Sequence, residues 1–426
     1  MPTDPALLPF GINLQDAHLF EQNEAHEAFR TLRREQPVPW HPGTERLNGF
    51  WSFTKYEDIL YVSRHPELFI SSKGIVGAGL RDTGGYVPIR PGDGGVSLIT
   101  MDPPRHVKMR RLVNKGFTPR AVNAMEPQIR AVTNEILDRV ASRDGCDFVL
   151  EIASQLPLAV ICGMMGLPQD VWPLMFELTN SVLGAGDPEY QAEVPEEIRG
   201  SREAEQQTSM SGEMRMLGYF AEIVAQRRIE PKDDLISILL EADVDGELLT
   251  EQDILAFCFL IILAGNETTR NAISGGLVTL CEHPEERARL QADMSLIDGA
   301  VEEILRWTSP LHHMSRVATE DVEVRSTKIA AGDRVLMWYP SANRDEDIFP
   351  DPYRFDITRT PNDHLAFGIG EHFCLGAGFA RKEMKVMFEE LFRRFPDIQV
   401  AGPPERLRSN FINGIKHLPV TFTPAR

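Results

Sequence analysis

The chain has 426 residues, 42% hydrophobic and 25% charged, with a formal net charge of −19. That length can bury a large core, the composition is that of an ordinary globular chain, and the acidic balance repels nucleic acid over most of the surface. The five cysteines (Cys146, Cys162, Cys258, Cys281, Cys374) are odd in number and share no Cys-x-x-Cys spacing, which argues against a disulfide framework or a zinc site and fits a reducing cytoplasm.

The N-terminus, Met1-Pro2-Thr3-Asp4-Pro5, has no basic segment followed by an apolar run, so no signal peptide is expected. Residues 1–100 mix helix-like stretches (Gln22 to Arg34, Tyr56 to Arg64) with short extended ones such as Gly49 to Phe53. From Gly74 to Gly95 the chain carries eight glycines and two prolines and cannot pack as a regular element. Between Met101 and Arg120 stand six basic residues (Arg105, Lys108, Arg110, Arg111, Lys115, Arg120) against one acid, Asp102, a local +5 that suits a small acidic partner.

Helical periodicity dominates from Pro104 to about Trp307, with breaks at Gly184–Pro188 and Gly200. Thr250, with Asp253 three residues on, predicts the capped start of a helix that runs roughly 45 Å to about Leu280. Its apolar run from Ile254 to Gly265 is too short to span a bilayer and ends in Asn266-Glu267. In the middle of that helix, Gly265 leaves room for a ligand, and Glu267-Thr268 sets a carboxylate beside a hydroxyl. A hydroxyl there can bond back to a carbonyl and bend or widen the helix. Short strands are predicted at Asp321 to Val324 and Asp333 to Met337, then a cysteine loop, a helix from Ala377 to Arg394 and C-terminal extended segments.

The loop is the most specific feature. Phe367-Gly368-Ile369-Gly370-Glu371-His372-Phe373-Cys374-Leu375-Gly376 sets one cysteine in a glycine-rich turn before a helix whose N-terminus favours a thiolate. Phe367, Gly370, Cys374 and Gly376 fit Phe-x-x-Gly-x-x-x-Cys-x-Gly, which resembles the haem-binding signature of the cytochrome P-450 family of haem-thiolate monooxygenases. Ala264-Gly265-Asn266-Glu267-Thr268-Thr269 is similar to that family's oxygen-activation segment.

The resemblance implies a mainly α fold with a minor β region, haem b between the long helix and the cysteine loop, and one domain over 1–426. The β-containing parts are expected near 38–55 and 310–340 and at the C-terminus, and the helical body at about 104–307 and 377–394. It implies Cys374 as iron ligand, Thr268 and Glu267 as the oxygen-activating pair with Glu267 delivering protons, and His106, Arg110, Arg316 and His372 as propionate partners. Ala264, Phe367 and Gly376 would also touch the haem. Glu303 and Arg306 match the family's Glu-x-x-Arg, with Arg354 of Pro352-Tyr353-Arg354-Phe355 as the expected third member of a structural lock.

Further implied are O2, ferredoxin and ferredoxin reductase as partners, NAD(P)H as electron source, and no membrane span. No His/Asp/Glu cluster in the sequence suggests a separate catalytic metal. A haem sensor would not need Glu267-Thr268, and peroxide-driven relatives usually lack the pair, so its presence argues against both. The expected pocket residues are Ile75, Val76, Val87, Ile89, Val96, Leu98, Leu183, Leu260, Ala264, Leu311, Met314 and Ile415. They are apolar and predict a hydrophobic substrate. The segments Gly186 to Tyr190 and Asn413 to His417 are similar to bacterial members acting on sterol side chains and related lipids; terpenoids and alkyl chains stay open.

Overall fold

The computed structural model describes residues 8–43, 49–75, 97–244 and 247–424. Ten of the helices organise them: α1 (Ala25–Glu35), α2 (Tyr56–Arg64), α3 (Arg105–Val113), α4 (Pro119–Val140), α5 (Gln155–Met164), α6 (Trp172–Leu183), α7 (Arg202–Ile229), α8 (Glu251–Glu282), α9 (Ile297–Thr308) and α10 (Ala377–Arg394), with a further helix at Pro284–Ala292 and shorter turns between them. α1 begins three residues later than the pattern predicts because Asn23 takes a left-handed φ of 59°, which closes the preceding short helix.

α8 is the axis of the molecule. Thr250 accepts from the Asp253 N–H while the Asp253 carboxylate accepts from the Thr250 N–H, closing both ends of a capping box. Arg105 of α3 reaches the same carboxylate at 2.5 Å, fixing the basic helix to the start of α8. The first half of α8 packs into a cluster with α5, α6 and α7, and its second half into one with α4, α9 and α10, so one helix walls two cores. Close approach is enforced at Gly275 and Gly276, where a Cβ would sit 2.9 Å from the Thr308 Cγ2 and 2.8 Å from the Ile304 Cγ2. α9 therefore presses directly on α8.

A five-stranded sheet lies to one side, built from β1 (Trp40–His41), β2 (Phe50–Phe53), β3 (Phe69–Ile70), β4 (His313–Ala318) and β5 (Arg334–Trp338), in the order β1-β2-β5-β4-β3. β5 runs parallel to β2 and antiparallel to β4, with Met337 opposite Phe53 and Met314. The C-terminal strand Pro419–Thr421 pairs with Gly145–Asp147 far upstream. The α6–α7 connector is pinned to this C-terminal region: Lys416 Nζ lies 3.1 Å from Asp187 and 2.7 Å from Glu189, and the His417 ring bridges Asp147 (2.7 Å) and Glu189 (3.0 Å).

The expected lock forms with one member exchanged. Glu303 binds Arg306 through both carboxylate oxygens at 2.8 Å, and Arg306 donates on to the carbonyls of Asn343 (2.8 Å) and Pro352 (2.9 Å). The second guanidinium on Glu303 is that of Arg359, at 3.2 Å, not Arg354. The Arg354 side chain is 66% exposed, and only its carbonyl joins the cluster, accepting from Arg359 at 2.8 Å. The reason is local: the ring of Phe355 is buried, which turns its predecessor outward, and the chain closes back five residues after Arg354.

Candidate active site

The cysteine loop lies against α2. Gly368 and Gly370 take φ values of +65° and +76°, and a Cβ on Gly370 would strike the carbonyl of Ser63 in α2, so both turns need glycine. The loop closes with the Cys374 N–H on the Phe367 carbonyl (2.9 Å) and the Phe373 N–H on the Gly370 carbonyl (3.1 Å). Arg381 stacks over the Phe367 ring at 4.5 Å and forks onto Glu302 of α9 at 2.6 and 2.8 Å, tying the loop to the helical core. Burial raises the Cys374 thiol above its ordinary pKa. The N–H groups of Gly376 and Ala377 and the charges of Arg110 and Arg381 oppose that rise without cancelling it.

Cys374 opens on a cavity walled on its other side by α8. Ala264, Gly265, Thr268 and Thr269 line it, as do Phe367, Leu375 and Gly376. The Thr268 hydroxyl donates to the Ala264 carbonyl at 2.8 Å. α8 stays α-helical through this stretch rather than widening, because the hydroxyl uses a second lone pair of a carbonyl already in the helix ladder. Glu267 lies elsewhere. About 100° further round the helix, it does not line the cavity and is 1% exposed, paired at 2.5 Å with Arg270. Burial raises its pKa above the ordinary value, and the charge of Arg270 and then the Asn271 side chain oppose the rise.

Four basic side chains converge on the cavity from distant parts of the chain: His106 and Arg110 of α3, Arg316 of β4 and His372 of the loop. His106 is 1% exposed with neither ring nitrogen partnered, and burial, then Arg110 and Arg316, pulls its pKa down to about 4. Its ring lies 4.2 Å from that of His372, which contacts the Ser71 hydroxyl at 3.2 Å. Arg110 donates to the Phe373 carbonyl at 2.5 Å and Arg316 to the Ser315 carbonyl at 2.7 Å. Among the described residues, no carboxylate forms an ion pair with either guanidinium. A buried guanidinium (Arg316), a half-buried one (Arg110) and an unpartnered buried imidazole are a donor set made for carboxylates supplied by a ligand, and a flat group bearing two propionates fits it.

Of the expected pocket residues, Leu98, Leu260, Ala264, Leu311 and Met314 line the cavity, together with Ile99, Phe257 and Ile261. Three do not. Ile75 packs with Leu407, Phe411 and Ile412, Leu183 lies against the same cluster, and Ile415 is core, its N–H donating to the Asn271 side-chain Oδ1 at 3.3 Å. They form a layer behind the wall. Val76, Val87, Ile89 and Val96 fall outside the described residues. His312 and His313, which precede Met314 in this stretch, are both buried, His313 packing against Trp338 at 4.6 Å.

Two groups escape a reading of the sequence. Glu383 on α10 is buried against the cavity with Oε2 unpartnered, and burial alone pushes its pKa up to about 8. An acid on the apolar face of a helix, between Phe379 and Met387, is the signal that could have found it. Arg270 carries a similar signal, one turn after Glu267 in an apolar helix. Among the described residues, Glu189, Glu405 and His417 bring three potential ligand atoms within 4.8 Å of one another, but Lys416 already supplies a positive charge there, 2.7 Å from Glu189.

Comparison with known proteins agrees with this geometry. The Cytochrome P450 family profile matches residues 213–405. The chain is 43% identical over 407 residues to a methyl-branched lipid omega-hydroxylase of Mycobacterium tuberculosis, covering 93% of this chain and 90% of that one. It is 35% identical over 418 residues to the steroid C26-monooxygenase of the same organism, covering 97% and 98%. Among solved structures, the Mycobacterium marinum cytochrome P450 CYP268A2 in complex with pseudoionone superposes with a TM-score of 0.85 at 36% identity, covering 95% of this chain and 96% of that one. The chain belongs to the cytochrome P450 family. It is a monooxygenase, and members of the family bind haem b through a cysteine thiolate. Among the described residues, no helix is long and apolar enough to cross a membrane.

Proposed function

We propose that Cys374 is the thiolate that ligates haem iron, and that the enzyme hydroxylates a C–H bond of a hydrophobic substrate held between Thr268 and the wall formed by Leu98, Leu260, Leu311 and Met314. The observation that carries this reading is the convergence on one cavity of Cys374, a threonine hydroxyl and four basic side chains that have no acidic partner among the described residues. Bound there, haem b supplies oxygen activation, which an electron-donating thiolate promotes.

The chain's own residues have separate tasks. His106, Arg110, Arg316 and His372 hold the propionates and so set the ring's orientation. Thr268 presents its hydroxyl at the cavity wall, where it would donate a proton into the cavity, and Glu267 would restore that proton from behind the wall. The apolar lining excludes water from the substrate side. Residues 1–426 act as one unit, a reading supported by the single helix shared between two cores. A cytoplasmic location is supported by five free cysteines.

The substrate class follows from the lining and the relatives. A sterol or steroid side chain, a terpenoid or another lipid fits an apolar cavity, and the relatives act on a methyl-branched lipid and a steroid. Electrons come from NAD(P)H through a reductase and an acidic ferredoxin docked on the basic α3 face.

The test is spectral. The reduced CO complex of the protein should show the strongly red-shifted Soret band of thiolate ligation, and Cys374→His should abolish it while leaving a haem spectrum. Retention of that band in the variant would overturn the assignment. Turnover with ferredoxin but not with peroxide alone excludes the peroxide-driven alternative, and a substrate-induced high-spin shift across a lipid panel selects the class.

A further inference from the structure

Away from the active site, basic side chains gather between α1, the residue before β4, the segment after β5 and the short strand Glu405–Arg406. His26 of α1 is half-buried and faces Arg344, His312, Arg406 and Arg33. His312 and Arg344 are 6% and 3% exposed. Three nitrogens, His26 Nδ1, His312 Nδ1 and Arg344 Nη1, are buried with no hydrogen-bond partner. The half-buried Arg406 guanidinium makes no hydrogen bond or ion pair among the described residues; Glu282 is the acid that acts on it, without contact.

The neighbouring acids are taken. Arg33 is already forked onto Glu346 at 3.0 Å, and Glu303, the carboxylate that acts on Arg344, is held by Arg306 and Arg359. Arg344 itself donates from Nη2 to the Trp307 carbonyl at 2.8 Å, which leaves Nη1 over. Buried cations and donors are costly away from water unless an acceptor meets them. Burial, followed by the nearby cations, pulls both imidazoles well below their ordinary pKa and Arg344 down to about 9, so the arginine keeps its charge at neutral pH.

The cluster lies behind the substrate wall. Leu311 and Met314 line the cavity, while His312 between them turns away, its ring 4.5 Å from that of Phe20 and its N–H on the Phe411 carbonyl at 2.8 Å. His26 also lines a surface groove with Ile12, Leu19 and Thr31, which gives the cluster a way to solvent. The acids on that groove, Glu24 and Glu27, are both exposed, and Glu27 pairs with Arg30 at 3.4 Å.

We propose that His26, His312, Arg344 and Arg406 form a binding site for a small inorganic anion, which supplies the acceptor that the protein lacks and ties α1 to the back of the substrate wall. The site is separate from the propionate donors, which open on the cavity itself.

Isothermal titration calorimetry of the ferric, haem-bound protein tests this with inorganic phosphate, sulfate and chloride in turn, ionic strength being held constant with gluconate. At least one of the three should bind saturably, once per chain, and the unfolding temperature followed at the Soret band should rise with the logarithm of its concentration. Arg406→Gln removes a charged fork from a half-exposed position and should weaken binding about tenfold or more. His312→Phe keeps a ring against Phe20 but removes the N–H, and should weaken it about fivefold. Arg30→Gln, an exposed change on the same helix as His26, should bind like the parent. The Soret band of the reduced CO complex should be the same in all three variants, so that a damaged haem site is not mistaken for a lost anion. No saturable binding of any of the three anions overturns the site, as does binding that persists undiminished in Arg406→Gln. Loss in Arg406→Gln with His312→Phe unchanged would mark a surface arginine only, and overturns it equally.

Discussion

Thr268 and Glu267 are adjacent, yet the helix sends them to different surroundings, one lining the cavity and one paired behind it. That division assigns them different failures. Thr268→Ala removes a hydroxyl whose only bond among the described residues is to the Ala264 carbonyl, itself already in the helix ladder, so little structural stability is lost. The expected defect is in coupling: NAD(P)H consumption continues, peroxide appears in place of product, and product per electron falls about tenfold. Substrate affinity should change by less than about threefold, since the role proposed for the hydroxyl begins only after oxygen binds. Peroxide and product assays on one reaction mixture check this, and unchanged coupling would remove Thr268 from the mechanism.

Between elements, the decisive contacts are those that hold the loop side of the cavity in place. α9 presses on α8 through Gly275 and Gly276, and from its other face Glu303 and Arg306 reach the segment around residues 343–362. Because Glu303 is fully buried, each guanidinium on it offsets the cost of a charge away from water. Arg359→Ala removes the charge-assisted bond to Glu303 together with those to the carbonyls of Pro350, Asp351 and Arg354, and should destabilise the haem-bound protein by at least about 2 kcal/mol. Arg354→Ala, on an exposed side chain, should stay within about 0.5 kcal/mol of the parent. Chemical denaturation followed at the Soret band ranks the two, and the reverse order would restore Arg354 to the cluster.

At the scale of the whole molecule, a net −19 chain presents one basic face close to its cysteine loop. Arg110 belongs to the cavity and Arg105 is bound to Asp253, while Arg111 and Lys108 are exposed on α3. Val107 and Phe373, each 39% exposed, add apolar surface beside the basic residues. The Lys115 side chain lies outside the described residues. An acidic partner docked here would approach the cysteine side of the cavity. Arg111→Glu and Lys108→Glu should therefore each lower the ferredoxin-supported rate at low salt about threefold or more, and the loss should shrink as salt rises. Substrate affinity should hold. Rates without salt dependence, with both reversals silent, would place docking elsewhere.

What the sequence determined by itself is what local chemistry dictates. The cysteine loop is legible because left-handed turns demand glycine and a cysteine in such a turn before a helix is a rare arrangement. The Thr250–Asp253 cap, the long helix and its polar break follow from spacing alone, and the basic cavity residues from a family resemblance carried on short motifs. Only the tertiary structure decided which side chains meet. Arg359 rather than Arg354 closes the lock because a buried Phe355 turns its neighbour outward. Ile75, Leu183 and Ile415 are apolar like true lining residues, but a second layer of core claims them. Arg270 meets Asn180 across two helices, and Glu383 is buried against the cavity without a bond to its Oε2. Apolar or charged character is a property of one residue; facing a cavity depends on how separate helices are stacked, and no short stretch of chain encodes that.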